Sequence, residues 1–171
     1  MKHLTRQKLI ILRGPMGVGK STLGEALLLH LPAAAYLDGD WCWKTHPFFV
    51  DDASRELVVD NIIYLLRGYL GHPDIRHVIL GWVLQQDSTL RQILQGLADI
   101  PFELRCYKLI CSPDALRTRL LKDVRAGRRM PDVIERSLAY LPLYESLQGT
   151  PVDVGAMSPE EALKFILWDL L

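Results

Sequence analysis

Nine residues, Gly14-Pro15-Met16-Gly17-Val18-Gly19-Lys20-Ser21-Thr22, satisfy the pattern G-x-x-x-x-G-K-[ST] at each required position. Glycines at 14, 17 and 19 let successive backbone N–H groups curl around a phosphate. Lys20 supplies a point charge for the β- and γ-phosphates, and the Ser21 hydroxyl is short enough to ligate a bridging Mg2+. Thr22 supports the α-phosphate side, and Met16 and Val18 belong to the same nucleotide-binding segment. The pattern therefore predicts binding of a nucleoside triphosphate.

A second group of chemically capable residues follows about twenty positions later, at Asp38-Gly39-Asp40. One acid can orient Mg2+ or its waters, and the other can take a hydroxyl proton during phosphoryl transfer. Trp41, Trp43, Phe48 and Phe49 come next without helical or strand period, which suits the wall of a pocket for a partly apolar ligand. Gln85 lies at the end of a later apolar run and is a candidate for the same ligand. Arg117, Arg119, Arg125, Arg128 and Arg129 crowd into a short, glycine-interrupted segment and read as a closing lid. Arg119 is assigned to the nucleotide, Arg125 to the transferring phosphoryl group and Arg128 to the acceptor. Which arginine meets the γ-phosphate is left open.

The elements that must position these residues are legible in outline. Leu9 to Leu12 form a short apolar strand before the glycine loop, and Ser21 to Leu31 an amphipathic helix after it. Ala33 to Leu37 predict a second strand ending at the two acids. A long helix from Asp51 or Ser54 to Leu70 has Leu57, Ile62, Leu65, Leu66, Tyr69 and Leu70 as its expected buried side. Val78 to Leu84 predict a third strand covered on both faces, with Asp87 or Ser88 capping a helix through Leu97. Glu103 to Cys111 predict a fourth strand, and Ser112-Pro113-Asp114 the start of the arginine-rich helix. Asp132 to Leu147 are helical with a kink or break at Pro142, and Val152 to Val154 form the last strand. Ser158-Pro159-Glu160-Glu161 is a capping box opening a terminal helix to Leu170.

Size and charge bound the remaining possibilities. With 171 residues and 49% hydrophobic content the chain can bury one good core and is too short for two ordinary domains. Basic and acidic residues balance at 20 each, so no global field favours nucleic acid. The three cysteines lack C-x-x-C spacing, which argues against a disulfide framework or zinc site and fits a reducing cytoplasm. No apolar window has transmembrane length. Oligomeric state is not readable.

Strands alternating with helices predict an α/β doubly wound, three-layer parallel sheet. The glycine loop, the strand-end acids and the arginine-rich segment together resemble the small P-loop kinases: shikimate kinase, gluconate kinase and chloramphenicol phosphotransferase, with adenylate kinase further off. Gly14 to Thr22 is similar to the shikimate kinase loop, and Leu37-Asp38-Gly39-Asp40 resembles the acid pairs of shikimate and gluconate kinases. The resemblance implies a P-loop NTPase fold with sheet order 2-3-1-4-5 and a short lid at residues 122–131. It also implies that Asp38 helps place Mg2+ and that Asp40 binds or deprotonates the acceptor hydroxyl.

The chain departs from the family where the acceptor is chosen. Trp82-Val83-Leu84 replaces the glycine-rich turn of shikimate kinase, and Leu84 stands where adenylate kinase has a phosphate-gripping arginine. The third strand also carries no Walker B acid. The expected activity is an ATP- and Mg2+-dependent transfer to a hydroxyl of a small metabolite or antibiotic-like acceptor, with Trp41, Trp43, Gln85 and Arg128 beside it. A nucleotide or nucleoside kinase, and a regulatory module that hydrolyses ATP slowly, are the alternatives.

Overall fold

The computed structural model describes residues 6–171. Leu9, Ile10, Ile11 and Leu12 are all fully buried, so β1 (Gln7–Arg13) takes the centre of a sheet with helices on both faces. The other strands are β2 (Ala34–Asp38), β3 (His77–Trp82), β4 (Phe102–Ile110) and β5 (Thr150–Asp153). All pairings are parallel and the order is β2-β3-β1-β4-β5, as the family resemblance implied.

Because strand side chains alternate between faces, the core divides in two. On one face Leu9, Ile11, Leu37, Val78 and Leu80 pack against α2 (Asp52–Leu70) and α3 (Asp87–Gln95). On the other Ile10, Leu12, Tyr36, Ile79 and Leu109 pack against α1 (Lys20–His30) and α7 (Pro159–Asp169). A third, smaller cluster of Leu116, Leu120, Val133 and Ile134 joins α4 (Pro113–Arg125) to α5 (Val133–Tyr140). The chain breaks at Pro142, the N-cap of α6 (Leu143–Ser146), because proline has no N–H to continue α5. Among the described residues no helix is long and apolar enough to cross a membrane.

Several sequence expectations shift. The buried side of α2 is Val58, Val59, Ile62, Leu66 and Leu70; Leu57 and Leu65 are exposed instead. The α2 stripe that packs on the sheet thus runs through Val58, Val59, Ile62, Leu66 and Leu70. Strand β3 ends at Trp82, two residues early, because Leu84 takes a positive φ of 40° and turns its carbonyl to Arg13. Asp87 does not cap α3, whose N-cap is Gln86 without a side-chain bond; its carboxylate pairs with Arg13 at 2.6 Å. Arg13 closes β1 at 0% exposure and needs those acceptors, since a buried guanidinium without partners is costly.

Strand β1 lies between β3 and β4, whose connections run to opposite sides. The crevice beyond its carboxyl end is therefore a topological switch point, where ligands gather in open α/β sheets. The glycine loop leaves β1 at that point.

Candidate active site

The loop between β1 and α1 is shaped by glycines whose conformations a side chain would resist. Gly17 and Gly19 have φ of 80° and 110°, and a Cβ at Gly17 would strike the Leu120 side chain. The N–H groups of Gly17, Gly19, Lys20, Ser21 and Thr22 find no acceptor among the described residues, and no side chain caps α1. Five free donors at a helix N-terminus are a fitting cradle for phosphate oxygens. Lys20 Nζ donates to the carbonyls of Gly14 at 2.9 Å and Pro15 at 2.8 Å, so it lies folded across the loop. Burial pushes its amine down to about 8, against the opposing pull of Asp40 and Asp38.

Asp38 ends β2 beside this loop and is held on three sides. Ser21 Oγ donates to Asp38 Oδ2 at 2.8 Å, Tyr36 donates its hydroxyl at 3.2 Å, and the Asp40 N–H donates to Oδ1 at 3.0 Å. The Ser21 and Asp38 oxygens are hard donors suited to Mg2+. Among the described residues no three His, Cys, Asp or Glu side chains gather as a metal site, so these two oxygens would hold the ion with nucleotide oxygens and water.

A 3₁₀ turn (Gly39–Trp43) then carries Asp40. Gly39 is required there because a Cβ would run into the Trp82 ring. The Asp40 carboxyl is raised above its ordinary range, first by desolvation and then by the Asp38 charge. Lys20, the Trp82 indole and Arg129 pull it the other way. Asp40 itself stays solvent-exposed, and a carboxylate within the fields of Lys20 and Arg129 beside the phosphate loop is chemically able to take a proton.

Arg119 bridges two loops: it donates to the Val18 carbonyl at 3.0 Å and to the Val154 carbonyl. A cavity of ≈ 210 Å³ opens there, lined by Val18, Gly19, Thr22, Arg119, Met157 and Pro159 among others. It adjoins the phosphate cradle and is apolar enough for a flat base.

The remaining candidates are distributed unevenly. Trp43 lies near the Asp40 cluster, its ring 6.5 Å from that of Trp82. Trp41 turns away, 58% exposed and edge-on to Tyr36, lining a separate groove of ≈ 490 Å³ with Leu57, Asn61 and Tyr64. Gln85 is half-buried and makes no side-chain hydrogen bond among the described residues. Arg125 is exposed at the last residue of α4, and Arg128 bonds Asp123 at 2.8 Å. The arginine whose charge reaches Lys20 and Asp40 is Arg129, itself 3.3 Å from Asp123. Its neighbour in sequence, Arg128, hides it: nothing in the spacing separates the two. Tyr36 and Trp82 were also not read as site residues, since both look like ordinary strand interior.

The family model for an AAA domain matches residues 10–137, three quarters of the chain. The chain belongs to the AAA domain family. No curated protein matches this AAA-domain chain by sequence. Solved structures match it closely in fold. A gluconokinase from Sinorhizobium meliloti is 22% identical with a TM-score of 0.68, covering 95% of this chain and 91% of its own. The Deinococcus radiodurans tunicamycin resistance protein is 20% identical with a TM-score of 0.66, over 96% of both chains. A shikimate kinase from Acinetobacter baumannii, solved with shikimate, is 18% identical with a TM-score of 0.62, covering 97% of this chain and 93% of its own. The five-stranded parallel sheet is that of the small P-loop kinases.

Proposed function

We propose that this AAA-domain chain is an ATP- and Mg2+-dependent phosphotransferase that moves a γ-phosphoryl group to the hydroxyl of a small molecule. The observation that carries the reading is Asp40, a second carboxylate sharing the field of Lys20 and Arg129 at the mouth of the phosphate loop. Holding a triphosphate needs no such group; deprotonating an alcohol does. The fold shared with structures described as a gluconokinase and a shikimate kinase supports the same class.

In this reading the loop N–H groups bind the phosphates, and Lys20 leaves the Gly14 and Pro15 carbonyls for the β- and γ-oxygens. The acceptor oxygen forms a bond to the γ-phosphorus while the bond to the ADP oxygen breaks, and the hydroxyl proton passes to Asp40. Ser21 and Asp38 would hold Mg2+, which when bound would supply charge neutralisation for the phosphates. Lys20 and Arg129 face the transferring group, and Arg119 with the Met157 loop encloses the base. Residues 122–131 act as the lid, and residues 1–171 as one domain.

A slow ATP-hydrolysing module is the second reading, favoured by one feature: β3 ends in Gly81-Trp82 without an acid to help hold the metal. Incubating the protein with ATP, Mg2+ and a cell metabolite extract separates the two. A species heavier by one phosphoryl group, missing when Lys20→Met is used, is expected. Slow ADP formation with no phosphorylated product would favour the module.

A further inference from the structure

Tyr36 stands two residues before Asp38 on β2. Strand side chains alternate, so both point to the face on which α1 packs. A tyrosine there needs room beneath the helix, and two glycines in regular elements provide it. A Cβ at Gly24, inside α1, would overlap the Tyr36 ring, and a Cβ at Gly81, in β3, would stand 3.0 Å from the Tyr36 hydroxyl oxygen. Glycine weakens the interior of a helix or a strand, so neither element gains from it except by admitting this side chain. Tyr36 is 6% exposed, and Trp41 meets its ring edge-on at 5.7 Å. The ring so held delivers its hydroxyl to Asp38 Oδ2 at 3.2 Å.

The place that the hydroxyl fills is informative. Gly81 lies in register with Asp38 on one side and with Leu12 on the other, so a side chain at position 81 would point to the same face, beside Asp38. That is where β3 could have offered a second acid, and the Tyr36 hydroxyl occupies it instead. Asp38 is left to orient the ion with Ser21, and a carboxylate at a strand end is free to rotate unless donors fix its plane. Ser21 Oγ donates to Oδ2 at 2.8 Å and the Asp40 N–H to Oδ1 at 3.0 Å. Ser21 is itself required by the ion, and the Asp40 N–H rides on a short turn. Tyr36 is the donor of the three that is anchored in the core.

We propose that Tyr36 is a positioning residue for the metal site: its hydroxyl, standing where β3 lacks an acid, holds the Asp38 carboxylate turned towards Ser21. This rests on the Mg2+ site of the kinase reading and adds a residue to it.

The test titrates ADP, which is not turned over, into the full chain by calorimetry, once in EDTA and once in Mg2+. The ratio of the two affinities measures what the metal adds. Tyr36→Phe keeps the ring and removes the donor, and is expected to lower that ratio about three- to tenfold with the EDTA affinity unchanged. Gly81→Ala crowds the hydroxyl, and is expected to lower the ratio about twofold in the wild-type chain and not at all in Tyr36→Phe. A ratio unchanged by Tyr36→Phe but lowered by Ser21→Ala would overturn the inference and leave the kinase reading standing. Equal losses in EDTA and Mg2+, the mark of a residue that only packs, would overturn it too, as would additive effects of the two substitutions. A wild-type ratio of one would instead defeat the Mg2+ site of the kinase reading, and this inference with it.

Discussion

On the nucleotide side of the crevice the ligand would be met by backbone: the free N–H groups of Gly17, Gly19, Lys20, Ser21 and Thr22, fixed by two left-handed glycines. On the proposed acceptor side it would be met by side chains: Asp40 and Trp43 on a short turn, Phe48 in the loop after it, and Trp82 at the end of β3. A triphosphate presents the same phosphate oxygens whatever the acceptor, so one backbone shape can serve it. Acceptors differ, and side chains can change without disturbing the sheet. The division implies that damage to one half should register in that half's kinetic constants alone.

The largest effect expected is on transfer itself. Asp40→Asn removes the proposed proton acceptor while keeping shape, and should lower kcat by about 10²- to 10⁴-fold with ATP affinity unchanged. Measuring kcat beside nucleotide binding checks this; a normal kcat would take Asp40 out of the mechanism and erase the distinction between the halves.

The two halves are joined through Arg13. Its side chain leaves the strand that precedes the phosphate loop and bonds the Leu84 carbonyl and Asp87, in the connection between β3 and α3. Tyr144 of α6 donates to the neighbouring Val83 carbonyl at 2.7 Å. Asp87→Ala leaves the guanidinium without its anion and should cost about 2 to 3 kcal/mol, less than a fully enclosed pair because Asp87 remains 24% exposed. Denaturant unfolding reads that loss. A cost near zero would mean that the Leu84 and Gln148 carbonyls alone satisfy Arg13.

Gly39→Ala sharpens the contrast more gently. The added methyl meets Trp82, and relieving the overlap costs about 1 to 3 kcal/mol and shifts the ring that bears on Asp40. A raised acceptor KM with unaltered ATP affinity is expected in turnover assays. Equal changes in both constants would show that the turn also shapes the phosphate side.

Much of this arrangement could be read before any coordinates. The phosphate loop and the two acids follow from local patterns, because glycine geometry, strand length and capping chemistry act over a few residues, and the sheet order came only with the family resemblance that those patterns carry. The Ser158 capping box and the break at Pro142 were legible for the same reason. What escaped depends on contacts between distant segments. Arg13 looks like the polar end of an apolar strand until Leu84 and Asp87, over seventy positions away, are found around it. Trp82 looks like core until Gly39 brings it under Asp40. The choice of Arg129 over Arg125 and Arg128 turns on where the end of α4 points, and composition says nothing of that.

The smallest effect tests whether rigidity on the nucleotide side extends to its outer wall. The Ser158 hydroxyl accepts from the Glu161 N–H at 3.2 Å, and Glu161 accepts from the Ser158 N–H at 2.7 Å. This box begins α7 beside Met157 and Pro159, which line the cavity next to the phosphates. Ser158→Ala should cost about 1 kcal/mol of stability, the ordinary loss of a cap. The loosened wall should raise KM for ATP roughly two- to threefold, since only part of that energy is coupled to the base. The acceptor KM should not move, because α7 packs under α1, on the opposite face of the sheet from Trp43 and α2. A shift in acceptor KM would mean that the two halves communicate through the sheet, and Arg13 would then be the first residue to test as the link.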